Sequence, residues 1–318
     1  MASPQPVLVY TGPREAQDVL ERALRPHFRV ESLVAEPGAV AEGLRTASAL
    51  LDASMRVRIT RAMIEAAPLL RVVATATTGA DHIDEAALAQ RGIPLWTLQG
   101  QQELLRSLTP AAEHAWLLVM ACARRLPAAC AHVREGGWDR AQFPGLMLRG
   151  RRLGLVGCGR IGTWMARYAA AFGMACQGYD PLVSPWPAGI ERVELDQLAS
   201  TSDVISIHVP LTDATRGLFG ARQCGLVPPG GILVNTSRGD ILDEAALLHG
   251  LRSGRIGAAG LDVLSGEPDI ADHPLRVYAQ THDNLLITPH IGGNSPDAVR
   301  TVVEFSAQRI LRHFGFTA

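Results

Sequence analysis

An apolar strand pattern, Leu153–Val156, runs directly into Gly157-Cys158-Gly159-Arg160-Ile161-Gly162, and a helical pattern follows over Thr163–Phe172. This unit restricts the fold more than any other part of the 318-residue chain. The spacing G-x-G-x-x-G is common by itself; a strand before it and a helix after it give each glycine a task. Gly157 allows a tight turn, Gly159 lets the backbone approach a pyrophosphate, and Gly162 permits close helix–strand packing. The helix N-terminus adds free N–H groups and the positive end of a dipole, both suited to phosphate oxygens.

The same rhythm extends along the chain. Strand patterns at Val7–Tyr10, Leu70–Ala74 and Ile93–Thr97 alternate with helical ones from about Pro13 to Leu24 and over Glu85–Gln90. After the glycine loop, strands are expected at Ala175–Tyr179, Val204–Val209, Ile232–Asn235, Ala258–Val263 and Leu285–Ile287. Such alternation predicts parallel sheets covered by helices on both faces, and the length suits two domains. A long helix is expected over Thr109–Arg125, with Thr109 as its cap and Pro110 in its first turn. Pro127–Gly150, with Gly136-Gly137, Pro144 and Gly145, reads as a looser stretch, and Pro296–Phe314 as a closing helix.

Composition removes whole classes of chemistry. All 30 basic residues are arginine, so a lysine Schiff base, pyridoxal-phosphate catalysis and a P-loop lysine are excluded. A net charge of −1 argues against a nucleic-acid partner. The longest apolar run, Ala115–Ala123, is too short to cross a bilayer, and Met1–Tyr10 lacks the basic and long apolar regions of a signal peptide. Cys122, Cys130, Cys158, Cys176 and Cys224 form no metal or Cys-x-x-Cys spacing, which suggests reduced thiols in a cytoplasm and no metal site.

Asp180 closes the strand after the glycine loop, 18 residues beyond Gly162. A carboxylate there accepts from ribose hydroxyls and repels a 2′-phosphate, so NAD is expected in preference to NADP. Three later segments each bring a functional residue to a strand's C-terminal end: Ile232–Gly239 with Arg238, Gly260–Pro268 with Asp262 and Glu267, and Ile287–Gly293 with His290.

With Thr77-Thr78-Gly79-Ala80-Asp81-His82-Ile83-Asp84, Glu113-His114 and His208-Val209-Pro210-Leu211-Thr212, these segments resemble the D-isomer-specific 2-hydroxyacid dehydrogenases, whose members include phosphoglycerate, glycerate, D-lactate and phosphite dehydrogenases. The resemblance covers nearly the whole chain. It implies an α/β fold of two doubly wound domains, Rossmann-like and flavodoxin-like, with the active site in the cleft between them. It places residues 1–100 plus 291–318 in a substrate-binding domain and 101–290 in an NAD-binding domain.

The resemblance also implies roles. His290 exchanges the proton of the substrate's C2 oxygen, and imidazole suits both directions because it titrates near neutrality. Glu267 orients His290, and Arg238 holds the substrate carboxylate and polarises its carbonyl. Backbone N–H groups at Thr78, Gly79 and Ala80 hold the rest of the carboxylate. Thr78, Gly157, Gly159, Arg160, Ile161, Gly162, Asp180, Val209, Pro210, Thr236, Asp262 and Gly292 are expected against the cofactor. The substrate is then a small 2-keto or 2-hydroxy acid such as glyoxylate, hydroxypyruvate or 3-phosphohydroxypyruvate; a phosphite or phosphonate substrate and a dinucleotide-sensing corepressor are alternatives.

A homodimer is implied, formed through the helix after Thr109 and an arm carrying Trp138. The chain ends soon after the closing helix, so no appended regulatory domain is expected. His27, His132, His249, His273 and His313 are read as structural, and His208 as a packing residue.

Overall fold

A computed structural model of the chain describes residues 5–316, so Met1–Pro4 of the segment read above lie outside it. Two compact units emerge, Met1–Leu108 with Asn294–Ala318, and Thr109–Gly293.

The first unit is a five-stranded parallel sheet in the order β2-β1-β3-β4-β5. Its strands are β1 (Val7–Thr11), β2 (Arg29–Ser32), β3 (Ala49–Asp52), β4 (Val72–Thr75) and β5 (Leu95–Trp96). This is the flavodoxin-like strand order, with its switch point between β1 and β3. Strands β1, β3 and β4 are buried along their whole length, as expected of strands covered on both faces. The Pro296–His313 helix packs Val299, Val302, Val303, Ile310 and Leu311 into this unit's core.

The second unit is a seven-stranded parallel sheet in the order β12-β11-β10-β9-β6-β7-β8. Its strands are β6 (Arg152–Val156), β7 (Ala175–Tyr179), β8 (Glu191–Arg192), β9 (Val204–Ile207), β10 (Gly231–Asn235), β11 (Ile256–Leu261) and β12 (Leu285–Ile287). Renumbered within the unit, this is the Rossmann order 3-2-1-4-5-6 with one more strand at its end. The order reverses between β6 and β9, which opens a crevice at their C-terminal ends.

Several expectations needed correction. The helix after the glycine loop begins at Arg160 rather than Thr163, so Arg160, Ile161 and Gly162 form its first turn. Thr109 does not cap its helix, which spans Pro110–Arg124. Its backbone is helical rather than extended, and its hydroxyl donates to Glu113 Oε1 at 2.5 Å. The stretch after Pro127 is not uniformly loose: Leu126–Arg134 is a helix, with Pro127 at its start, where a missing N–H costs nothing. Strands β2 and β3 and the helices Pro37–Leu44 and Arg61–Glu65 carried too short or too polar a pattern to be read in advance.

The unit boundaries fall at 108/109 and 293/294, not at 100/101 and 290/291. Leu104, Leu105 and Leu108 pack on the first unit's core, and the N–H groups of Ile291 and Gly292 are bound by Asp262 of the second.

Candidate active site

The glycine loop joins β6 to the Arg160–Ala171 helix, and its three glycines have separable reasons. Gly157 has φ +98°, and a Cβ there would lie 2.8 Å from the carbonyl of His208. A Cβ on Gly162 would lie 2.2 Å from the Gly157 carbonyl oxygen, so helix and loop touch backbone to backbone. A Cβ on Gly159 would meet nothing within 4 Å. The space beside Gly159, at the start of a helix, is therefore a cradle fitting a dinucleotide pyrophosphate.

Asp180 ties the end of β7 to this loop. It accepts from the Cys158 N–H at 2.9 Å and from the Leu182 and Val183 N–H groups at 2.9 and 3.0 Å. Val209 is buried with its Cγ1 against the Gly157 position, while Pro210 is exposed. Among the described residues the buried hydroxyl of Thr236 has no partner, as suits a group awaiting a ligand. The His208 ring is also buried with neither nitrogen partnered among the described residues, and burial pushes its pKa down to about 3, so the ring is neutral.

The segment after β10 is braced internally. Asn235 donates to the Arg238 carbonyl at 2.9 Å and accepts from the Ser237 N–H at 3.0 Å, while Ser237 Oγ donates to the Ile207 carbonyl at 2.6 Å. This frame delivers Arg238, half-buried, to the sheet's C-terminal edge, where its Nη1 donates to the Ser237 carbonyl.

His290 owes its place to Asp262. That carboxylate, 1% exposed, accepts from Thr288 Oγ1 at 2.6 Å, Ile291 N–H at 2.9 Å and Gly292 N–H at 2.7 Å. His114 Nε2 lies 3.2 Å from the same group. Asp262 is thus committed to holding the turn that carries His290, whose φ of +54° is unusual for a side chain with a Cβ. Gly292 fits the same turn, since a Cβ there would lie 3.0 Å from the Asp262 Oδ2. His290 Nδ1 then meets Glu267 Oε1 at 2.6 Å, with both side chains about 30% exposed (29% and 31%). A carboxylate at Nδ1 places the ring proton there and leaves Nε2 for exchange.

In the first unit, the Thr77–Asp84 loop follows β4 at the C-terminal edge of the sheet. Thr77 Oγ1 donates to the Gly79 carbonyl at 2.7 Å, and His82 Nε2 faces Asp52 Oδ2 at 2.8 Å. Among the described residues the N–H groups of Thr78, Gly79 and Ala80 donate to no protein acceptor, with Thr78 exposed and Ala80 buried. Among those residues, no group of three or more His, Cys, Asp or Glu is placed to hold a metal ion, and no helix is long and apolar enough to cross a membrane.

The sequence of residues 116–292 matches the model of the D-isomer-specific 2-hydroxyacid dehydrogenase NAD-binding domain. The chain belongs to the D-isomer-specific 2-hydroxyacid dehydrogenase family. It is 38% identical to D-3-phosphoglycerate dehydrogenase of Archaeoglobus fulgidus over 80% of this chain and 47% of that protein, and so spans about half the length of that relative. It is 37% identical to hydroxypyruvate reductase of Thermotoga maritima over 81% of this chain and 82% of that enzyme. A crystal structure of a Thermus thermophilus protein superposes with a TM-score of 0.85 at 32% identity, covering 97% of each chain.

Within this dehydrogenase fold the second unit brings Arg238, Glu267, His290, Asp262, Thr236 and the glycine loop to the C-terminal ends of one sheet. Sequence reasoning missed Asp52, Glu244 and the structural use of His82, and it read His273 as structural without naming its partner. Asp52 had no usable signal, because the Ala-Leu-Leu before it is too short a run to read as a strand. His273 and Glu244 had none, because only folding brings them together.

Proposed function

We propose that this chain is an NAD-dependent dehydrogenase that interconverts a small 2-keto acid and its D-2-hydroxy acid. The observation that carries the reading is the His290 Nδ1–Glu267 Oε1 contact of 2.6 Å on a turn organised by Asp262. The nicotinamide, when bound, supplies or accepts the hydride at C2. His290 Nε2 gives the substrate oxygen its proton in reduction and takes it back in oxidation, while Glu267 holds the ring in register. Arg238 binds the carboxylate and polarises the carbonyl through its planar fork. The resemblance assigns the N–H groups of Thr78, Gly79 and Ala80 to the substrate carboxylate as well.

The glycine loop, with Arg160 and Ile161 in its helix's first turn, cradles the pyrophosphate, and Val209, Pro210 and Thr236 border the nicotinamide half. Asp180 favours NADH over NADPH by repelling a 2′-phosphate. Two curated names among the relatives, hydroxypyruvate reductase and D-3-phosphoglycerate dehydrogenase, make hydroxypyruvate and 3-phosphohydroxypyruvate the first acids to try, with glyoxylate beside them.

A homodimer is supported by apolar side chains left exposed between 110 and 150. Leu117, Leu126, Val133, Met147 and Trp138 stand out, the last 90% exposed. Five free cysteines suit a reducing compartment such as the cytoplasm.

The test is NADH oxidation against these acids, with NADPH in parallel and His290→Ala as control. Saturable turnover that disappears in the variant supports the reading. Tight NADH binding with no turnover of any acid overturns it in favour of a sensing protein.

A further inference from the structure

Another histidine–carboxylate pair holds the turn that leads to Glu267. His273 Nε2 meets Glu244 Oε2 at 2.9 Å, and the two side chains are only 12% and 15% exposed. His273 Nδ1 accepts from the Leu275 N–H at 3.2 Å, so the ring proton sits on Nε2 and both nitrogens are occupied. Unlike His290, this imidazole has no nitrogen left to exchange a proton with a substrate.

Its carboxylate partner reaches the catalytic turn. Glu244 Oε1 accepts from the Ser265 N–H at 2.9 Å, while the neighbouring Leu264 N–H points to Glu267 Oε2 at 3.3 Å. Two glutamates, each facing a histidine, thus grip adjacent amides of one turn. Ser265 also reaches the arginine segment, since its Oγ donates to Asp240 Oδ1 at 2.6 Å. Arg238 and Asp240 flank Gly239, where a Cβ would lie 2.1 Å from Ser265 N and 2.2 Å from the Leu264 carbonyl carbon. The loop bearing Arg238 and the loop bearing Glu267 therefore touch backbone to backbone, with Ser265 at the joint.

We infer that Glu244 and His273 are positioning residues for the reaction proposed above: they lock the Leu264–Ser265 turn and so set Glu267 against His290 and Arg238 beside them. This rests on the assignment of Glu267, His290 and Arg238 as the reacting groups. His273 fixes Glu244, Glu244 fixes Ser265, and Ser265 carries the constraint to both loops. A misplacement of about 1 Å in a reacting geometry costs roughly a hundredfold in rate, so buried clamps of this kind matter without touching substrate.

The experiment compares Glu244→Ala, Glu244→Gln, Glu267→Gln and the double variant Glu244→Ala/Glu267→Gln in the intact chain. It reads kcat and KM with the best 2-keto acid of the panel, NADH affinity by fluorescence and the melting temperature. Glu244→Ala is expected to lower kcat by about tenfold to a hundredfold with NADH affinity unchanged. Glu244→Gln keeps an acceptor for the Ser265 N–H but turns its NH2 toward the His273 Nε2–H, so it is expected to recover only part of that loss. In the Glu267→Gln background, Glu244→Ala is expected to cost less than it does alone, because the part of its effect that runs through Glu267 is already lost.

A folded Glu244→Ala with full kcat overturns the inference. So does an equal loss in both backgrounds, or a loss confined to NADH binding. Full turnover in Glu267→Gln and His290→Ala instead overturns the underlying reading of the site.

Discussion

Asp52→Asn tests how the first unit holds its Thr77–Asp84 loop. The Asp52 side chain, 2% exposed, accepts on Oδ1 from Thr11 Oγ1 at 2.6 Å and from Ser54 N–H and Oγ at 3.0 and 2.7 Å. On Oδ2 it accepts from Met55 N–H at 3.1 Å and faces His82 Nε2 at 2.8 Å. An asparagine must turn its NH2 toward one of these sets, and either orientation leaves a part-buried backbone N–H, that of Ser54 or Met55, facing a donor. A lost hydrogen bond to a charge costs about 1.5–3 kcal/mol and an orphaned buried N–H about 1–3 kcal/mol, so the substitution should cost roughly 3–5 kcal/mol.

Burial alone would raise the Asp52 pKa. The hydrogen bond and charge of His82, with the hydroxyls of Thr11 and Ser54, outweigh it and hold the carboxyl below its ordinary value. The native state thus binds this proton less readily than the unfolded chain. Its contribution is complete above about pH 4 and is lost as pH falls through the lower native value. Urea unfolding at pH 7 and at steps toward pH 3 should show a large gap between wild type and variant that narrows in acid. KM for the keto acid should rise while NADH affinity holds. A gap under about 0.5 kcal/mol at pH 7, or one indifferent to acid, refutes the reasoning.

Gly162→Ala forces a Cβ to within 2.2 Å of a backbone oxygen and should cost about 1–3 kcal/mol of stability together with NADH affinity. Gly159→Ala meets no protein atom within 4 Å and should leave stability nearly unchanged yet weaken NADH, as thermal melts and fluorescence titration will show. Asp180→Asn removes the charge and keeps an oxygen for the Leu182 and Val183 N–H groups, while its NH2 turns toward the Cys158 N–H and weakens both cofactors alike. Steady-state kinetics should then show the NADPH-to-NADH ratio of kcat/KM rising by about tenfold, equivalent to roughly 1.4 kcal/mol. Arg238→Lys loses the planar fork and should lower kcat/KM by about a hundredfold, or roughly 2.7 kcal/mol, while fluorescence titration shows NADH affinity intact.

The glycine loop was legible because its determinants are local. Strand, turn glycines and helix start lie within one βα unit, and the positive φ of Gly157 and the contact of Gly162 with the Gly157 carbonyl are local, while only the His208 contact of Gly157 comes from a distant strand end. The buried strands Val7–Thr11 and Gly231–Asn235 were legible as unbroken apolar runs for the same reason. The edge strand Arg29–Ser32 was not, because an edge needs no apolar run and its sequence is Arg-Val-Glu-Ser. Pro127 misled for a related cause: proline stops a helix in its interior but suits its first turn, and sequence alone does not say which position it holds.

The amino-acid sequence by itself determined the βα rhythm, the dinucleotide cradle and the residue types at the strand ends, since these depend on spacing over a few residues. Beyond Glu267 and His290, whose pairing the resemblance implied, only the tertiary structure decided which carboxylate meets which histidine. Glu267 and His290, Glu244 and His273, and Asp52 and His82 lie 23, 29 and 30 residues apart. A parallel sheet joins such distant segments at one edge through its strand order, and that order follows from packing helices on both faces rather than from any local pattern.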